Sequence, residues 1–149
     1  TLSLKGRALR LLAQREHSRL ELERKLAAHV AEGDDLAAVL DELEAKNFIN
    51  PERVAQSVAY RRGSKLGTAR VVQEMRSKGL HEDTVRAATQ ELRATEWQRA
   101  CTIWRQRFGA PAETPQDKLK QMRFLASRGF SGDVVRKVVA GQEPEDTSD

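Results

Sequence analysis

The chain repeats itself. Sliding the 149-residue sequence along itself by 50 positions aligns Leu22 with Val72 and Met122, then Lys25 with Met75 and Leu125. The same shift aligns His29 with Gly79 and Gly129, and Val30 with Leu80 and Phe130. The second and third copies are the closest, with Ser77-Lys78-Gly79-Leu80 beside Ser127-Arg128-Gly129-Phe130. A fixed period marks an architecture in which one supersecondary unit stacks on the next, and 50 excludes the 34-residue tetratricopeptide period. A unit of that size buries little core by itself. Stacking yields an elongated body in which each unit mainly touches its neighbours, and such a body offers one long surface instead of a pocket.

Each copy reads as three helices, because apolar residues recur at spacings of three and four and no alternating strand pattern appears. Leu4, Ala8, Leu11 and Leu12 predict a first helix to about Glu16. Ser18, with Glu21 as capping-box partner, opens a second through Leu22, Leu26 and Val30 to near Gly33. Asp34 or Asp35 caps a third, and Asn50-Pro51 opens a fourth that runs through Val54, Val58 and Tyr60 to Gly63. Gly67 and Thr68 begin the fifth, which Gly79 stops. A sixth spans about Glu82 to Leu92, and a seventh carries Trp97, Cys101, Trp104 and Phe108. The eighth runs from Gln116 to Arg128, and Ser131 or Asp133 opens the ninth through Val134, Val135, Val138 and Val139. The expected fold is therefore all-α: an elongated array of three tandem three-helix modules, about nine helices in helix-turn-helix-like repeats. Its expected divisions are modules over 1–49, 50–93 and 94–141, then a disordered acidic tail over 142–149 that contains no apolar side chain.

Charge follows the modules. The net +4 conceals a stretch over 31–57 with seven acids and two bases, and another over 58–78 with six bases and one acid. Residues 97–141 hold nine bases against three acids. A field arranged in blocks suits a protein that lies along a polyanion or an acidic groove; a solvated helical surface would carry the same residues. No apolar run approaches the ~20 residues of a membrane span, and no signal-peptide pattern opens the chain. The lone Cys101 cannot form an internal disulfide, which suits a reducing compartment. A soluble cytoplasmic monomer, away from membranes, is the expectation.

The parts of a catalytic site are missing. There is no glycine-rich phosphate loop, nucleophile elbow or paired-histidine zinc motif. His17, His29 and His81 are far apart with no cysteine or carboxylate at ligand spacing, so no metal and no cofactor is expected. Cys101 reads as a small buried hydrophobe. Trp97, Trp104 and Phe108 are able to stack on bases, but at helical spacing they are expected to be core. Glu42 and Glu44 lie on a helix without a buried partner to tune either pKa. Nothing here predicts an enzyme.

What remains is basic helical surface. Arg61, Arg62, Lys65, Arg70, Arg76 and Lys78 cluster where the fourth and fifth helices join, and Lys118, Lys120, Arg123 and Arg128 form a second set on the third module. Both sets are candidate contacts for phosphates, with strong salt dependence and little sequence preference.

Several segments resemble one family. Arg15-Glu16-His17-Ser18-Arg19, with Glu21-Leu22 and Lys25-Leu26, is similar to the opening signature of the bacterial regulatory family RecX, as is Phe48-Ile49-Asn50 with Arg53 and Ala55. Gly67, Arg70, Gln73-Glu74-Met75 and Lys78-Gly79-Leu80 resemble that family's Gly-Pro-x-Arg-Ile-x-x-Glu-Leu-x-x-Lys-Gly-Val core, with Thr68 in place of the proline. Arg123-Phe124-Leu125, Arg128-Gly129-Phe130 and Asp133 resemble its third-module ending. The resemblance implies a non-catalytic modulator of the recombinase RecA. Such proteins lie in the groove of RecA–single-stranded DNA filaments and bridge protomers. They reduce extension, ATP hydrolysis, strand exchange and LexA cleavage, and so modulate repair, recombination and the SOS response. The ten basic residues would then meet RecA or DNA, single-stranded and also double-stranded. Two other classes fit the residues alone: a stand-alone basic helical DNA-binding module and a helical adaptor for an unrelated partner.

Overall fold

The computed structural model describes residues 2–145. Seven of its eight α-helices open on a side chain that accepts from a first-turn amide, meeting the unpaired donors every helix start leaves. Ser3 opens α1 (Leu4–Gln14), and Ser18 opens α2 (Arg19–Leu26) with the reciprocal Glu21 capping box in place. A 3₁₀ turn, Ala27–His29, follows. Asp35 caps α3 (Leu36–Ala45), and Asn50 with Pro51 starts α4 (Pro51–Gly63). The exception is α5 (Thr68–Ser77), whose N-cap Gly67 has no side chain to give. His81 opens α6 (Glu82–Arg107), Thr114 opens α7 (Pro115–Ser127), and Ser131 opens α8 (Gly132–Val139).

The fold is the expected all-α array of three-helix units, with eight helices in place of nine. The sixth and seventh expected helices are one 26-residue helix, α6. No glycine or proline interrupts Arg93-Ala94-Thr95-Glu96, so nothing breaks the ladder there. What changes along α6 is the face that is buried. Val85 and Leu92 enter one core with Val54, Val58, Val71 and Met75. About two turns later, Ala100, Cys101 and Trp104 enter another with Leu125, Phe130, Val135 and Val138. The expected boundary at 93/94 thus falls inside a helix that both units share.

The remaining core belongs to the first unit, where α1, α2 and α3 pack on one another around Leu4, Ala8, Leu22, Leu26, Leu40 and Leu43. Each such side chain, taken out of water, contributes roughly 1.5–3 kcal/mol before entropy is set against it. The Trp97–Phe108 stripe is core as expected: Trp104 is buried and its indole donates to Gln121 Oε1 at 2.9 Å, while Trp97 and Phe108 pack partly buried beside it. The tail differs from its expectation at its start. Gln142 O accepts from the Trp97 indole at 3.4 Å, and Glu143 pairs with Arg105, so the first tail residues lie against α6. Residues 146–149 of the expected disordered tail lie outside the described residues.

Candidate polyanion interface

The repeat is reproduced in how one unit touches the next. Gly79 sits with φ +75°, and a Cβ there would stand 2.7 Å from Leu20 of the first unit. Gly129 sits with φ +94°, and a Cβ there would fall on the Arg70 side chain of the second unit. Leu20 and Arg70 are 50 positions apart, as are Gly79 and Gly129, so one contact is used twice. At the second junction the approach is closer still. The Gly67 amide donates to the Arg128 carbonyl at 2.8 Å, and a side chain at Gly67 would collide with the Gly129 backbone.

That closeness explains the uncapped start of α5. The carboxylate of the buried Glu96, from α6, accepts from the Thr68 amide and from the Ser131 amide, both at 3.3 Å. One side chain therefore serves the starts of two helices from adjacent units, where the dipole favours a negative charge. Arg99, one turn on, donates to the carbonyls of Leu66 (2.6 Å), Gly63 (2.9 Å) and Leu92 (2.9 Å) and to Thr68 Oγ1 (3.1 Å). Burial lowers the Arg99 pKa, an effect the Glu96 charge opposes. Sequence reasoning missed both residues; Glu96 and Arg99 at i, i+3 on a polar helix carry no signal of their own.

The ten expected contact residues separate into three groups. Internal partners hold Arg62, Arg76 and Lys78. Arg62 Nε lies 3.2 Å from Glu74, Arg76 donates twice to Glu82 (3.0 and 3.3 Å), and the mostly buried Lys78 pairs with Glu21 at 3.2 Å. The second group converges on the junction of units two and three. Arg70 Nη1 donates to Ser127 O at 2.8 Å, Lys65 lies two residues before the Gly67–Arg128 backbone bond, and the Arg128 guanidinium stacks over Phe124 at 4.8 Å. Arg123 is exposed beside Phe124 on α7. Arg107, which sequence reasoning passed over, lies over the same ring at 5.4 Å from the opposite element, α6. Phe124 thus holds two guanidiniums in place by cation–π attraction, and residues from both expected clusters meet at one junction. The third group is dispersed: Arg61 is exposed at the end of α4, Lys118 lines a depression with Arg136 and Lys137, and Lys120 lines another with Asp117 and Phe108, whose ring packs edge-on against Phe124.

The first junction is built differently. Arg53 pairs with Glu16 at 2.9 Å, and Glu21 gathers Arg15 (2.6 Å), Lys78 and the Ser18 amide. Burial pushes the Glu21 carboxyl pKa up, but the hydrogen bonds from Arg15, Ser18 and Lys78 together outweigh it and hold it at about 2. His17, 50 positions before Gly67, is 1% exposed. Lys25 Nζ donates to its Nε2 at 3.1 Å, so its Nδ1–H donates to Arg15 O at 3.0 Å. Burial is the chief cause of its lowered pKa, and the ring is neutral at pH 7.

No catalytic constellation emerges among the described residues. Burial raises the Cys101 pKa and so keeps it a thiol. Glu42 has solvent-exposed partners in place of a buried one: hydrogen bonds from Lys46 (2.8 Å) and Lys5 (2.7 Å) bring its pKa down to about 2, which leaves it ionised at neutral pH. Among the described residues no group of three or more His, Cys, Asp or Glu side chains could hold a metal ion. None of the described helices is long and apolar enough to cross a membrane.

An all-helical tandem array of three-helix units, with basic side chains gathered at a unit junction, defines a class: a helical repeat protein. The particular family follows from comparison. The family model described as RecX, first three-helix domain, matches residues 5–43, and that of RecX, third three-helix domain, matches residues 94–139. Regulatory protein RecX of Leptothrix cholodnii is 51% identical over 138 residues, 93% of this chain and 88% of that protein. Its counterpart from Ralstonia nicotianae is 44% identical over 142 residues, 95% and 89% of the two chains. The crystal structure of RecX from Lactobacillus salivarius superimposes with a TM-score of 0.76 over 93% of both chains at 18% identity, and shares the fold. The chain belongs to the RecX family of bacterial regulatory proteins, and it is a regulator and not an enzyme.

Proposed function

We propose that this chain regulates RecA by lying in the groove of the recombinase–single-stranded DNA filament. There it bridges protomers and restrains extension, ATP hydrolysis, strand exchange and LexA cleavage, so damping repair, recombination and the SOS response. It acts as a cytoplasmic monomer, organised as units over 1–49, 50–93 and 94–141. The observation that carries this is the junction of units two and three, where the Gly67–Arg128 and Arg70–Ser127 bonds join the units and Arg107 and Arg128 both lie over Phe124; the exposed Lys65 and Arg123, close to it in sequence, support a basic surface there. Several weak contacts along a stack of units add through effective concentration, and a fixed basic surface binds phosphate with strong salt dependence.

The test is recombinase ATPase on single-stranded DNA, titrated with the protein. Lys65→Ala with Arg123→Ala removes exposed charge without touching an internal bond, and should raise the half-inhibitory concentration while helicity stays unchanged. Arg76→Ala, whose charge is already paired with Glu82, should inhibit as the parent does. No inhibition by the parent protein at equimolar amounts would refute the proposal. Tight DNA binding without recombinase would favour the stand-alone DNA-binding alternative.

A further inference from the structure

The second unit has a face that the basic junction does not use. Between α4 and α6 runs an open groove of about 570 Å³, continuous through Ala59, Ala88 and Glu91 with a smaller one of about 300 Å³. Its walls come from α4 and α6 alone, since α5 covers the other side of the pair. Along α4 it extends from Glu52 to Ser64, roughly 18 Å at 1.5 Å per residue, or three turns of a facing helix. The floor is made of small and aliphatic side chains, Ala59, Ala88 and Leu92, which let another backbone approach closely. Tyr60 stands at its edge with 87% of its surface exposed, the most exposed large hydrophobic side chain among the described residues. The sequence ran the fourth helix through Tyr60 along with Val54 and Val58; the structure buries the two valines and puts Tyr60 in solvent.

Charge says what fits. Glu52 and Glu91 line the groove and meet no cation among the described residues. Asp83, nearby, is already engaged by Arg86 and His81. The one cation in the wall, Arg99, turns its guanidinium inward to the Gly63 and Leu66 carbonyls. A phosphate backbone would be repelled here, whereas an amphipathic helix with a small-aliphatic stripe and lysines or arginines beside it is complementary in shape and sign.

We propose that the α4–α6 groove receives a basic amphipathic helix of the filament protein, so that the second unit meets protein on one face and DNA phosphate on the other. This rests on the filament reading and deepens it: a partner made of protein and nucleic acid presents both chemistries. The test replaces Tyr60 with the photo-crosslinker p-benzoylphenylalanine in the full chain. Irradiation is carried out on recombinase filaments, on bare single-stranded DNA and on the protein alone, with co-sedimentation measured in parallel. The expected product is a cross-link to the recombinase. Glu52→Lys with Glu91→Lys, both at exposed positions, should weaken co-sedimentation with filaments by about tenfold and leave DNA binding equal or stronger. A cross-link to DNA or to a second copy, or none from a protein that co-sediments, overturns the groove assignment and leaves the filament reading standing. Failure of the parent protein to co-sediment overturns both.

Discussion

The two junctions of this molecule solve one packing problem in opposite ways. Both set a left-handed glycine of one unit against position 20 or 70 of the unit before, yet they differ in what surrounds that contact. Between units two and three the chain never leaves the helix: α6 belongs to both cores, and Arg99 and Glu96 satisfy backbone groups on each side. Between units one and two no helix is shared; the joint carries the ion pairs Lys78–Glu21 and Arg53–Glu16, and the buried His17, bonded to Arg15 and Lys25 within the first unit, lies near Glu21. Covalent continuity with internal hydrogen bonds makes a joint that geometry fixes. Ion pairs at a boundary make one that depends on solvent, salt and proton activity.

The sharpest break of that contrast is Arg99→Met, which keeps length and loses the donors. It orphans buried carbonyls at Gly63 and Leu66, and should cost about 3 kcal/mol in urea unfolding. Hydrogen exchange should accelerate at the ends of α4 and α5 while α1–α3 keep their protection. Gly129→Ala comes next, at roughly 2–3 kcal/mol. It combines left-handed strain with a collision against Arg70 that includes its backbone nitrogen. Gly79→Ala bears the same strain but meets only the Leu20 side chain, and should cost roughly 1–2 kcal/mol. Equal losses at the two glycines would show that the junctions are equally tight.

Acid should separate the junctions without any mutation. His17 is held neutral, with its folded pKa below the ordinary 6.5, so the unfolded chain binds the extra proton first. Its contribution is complete above pH 6.5 and is lost as pH falls through the folded value, by at most about 1.4 kcal/mol per pH unit. Glu21 follows in a lower window, its contribution fading between the ordinary 4.5 and about 2. Limited proteolysis between pH 7.5 and 5.5 should therefore release the first unit before the third, and His17→Gln should flatten the dependence. The smallest expected effect belongs to Arg76→Ala: its pair with Glu82 is in solvent on both sides, and thermal melting should not resolve the change.

Much of this organisation was legible because it is local or periodic. Ser18 with Glu21, Asn50 with Pro51, and the Gly79/Gly129 alignment each place an element from a few neighbouring residues. The union of the sixth and seventh helices was not legible, because a helix that changes its buried face loses its single hydrophobic stripe between Leu92 and Ala100 while no breaker marks the change. The candidate site was half legible. Basic residues were visible, but their neutralising partners were not: Glu21 reaches Lys78 from another unit, and Glu74 reaches Arg62 from another helix. Arg107 escaped notice because its place beside Arg128 depends on Phe124, which joins α6 to α7 only in three dimensions.

The shared helix also has a mechanical consequence. At 26 residues α6 is about 39 Å long, and it ties the second and third units as a single spar. Tension applied to the two ends of the molecule, as by a filament that lengthens or twists beneath it, would open the ionic joint first. The spar would stay whole, so the protein would part as one unit and two, with the longer piece keeping the basic junction surface intact.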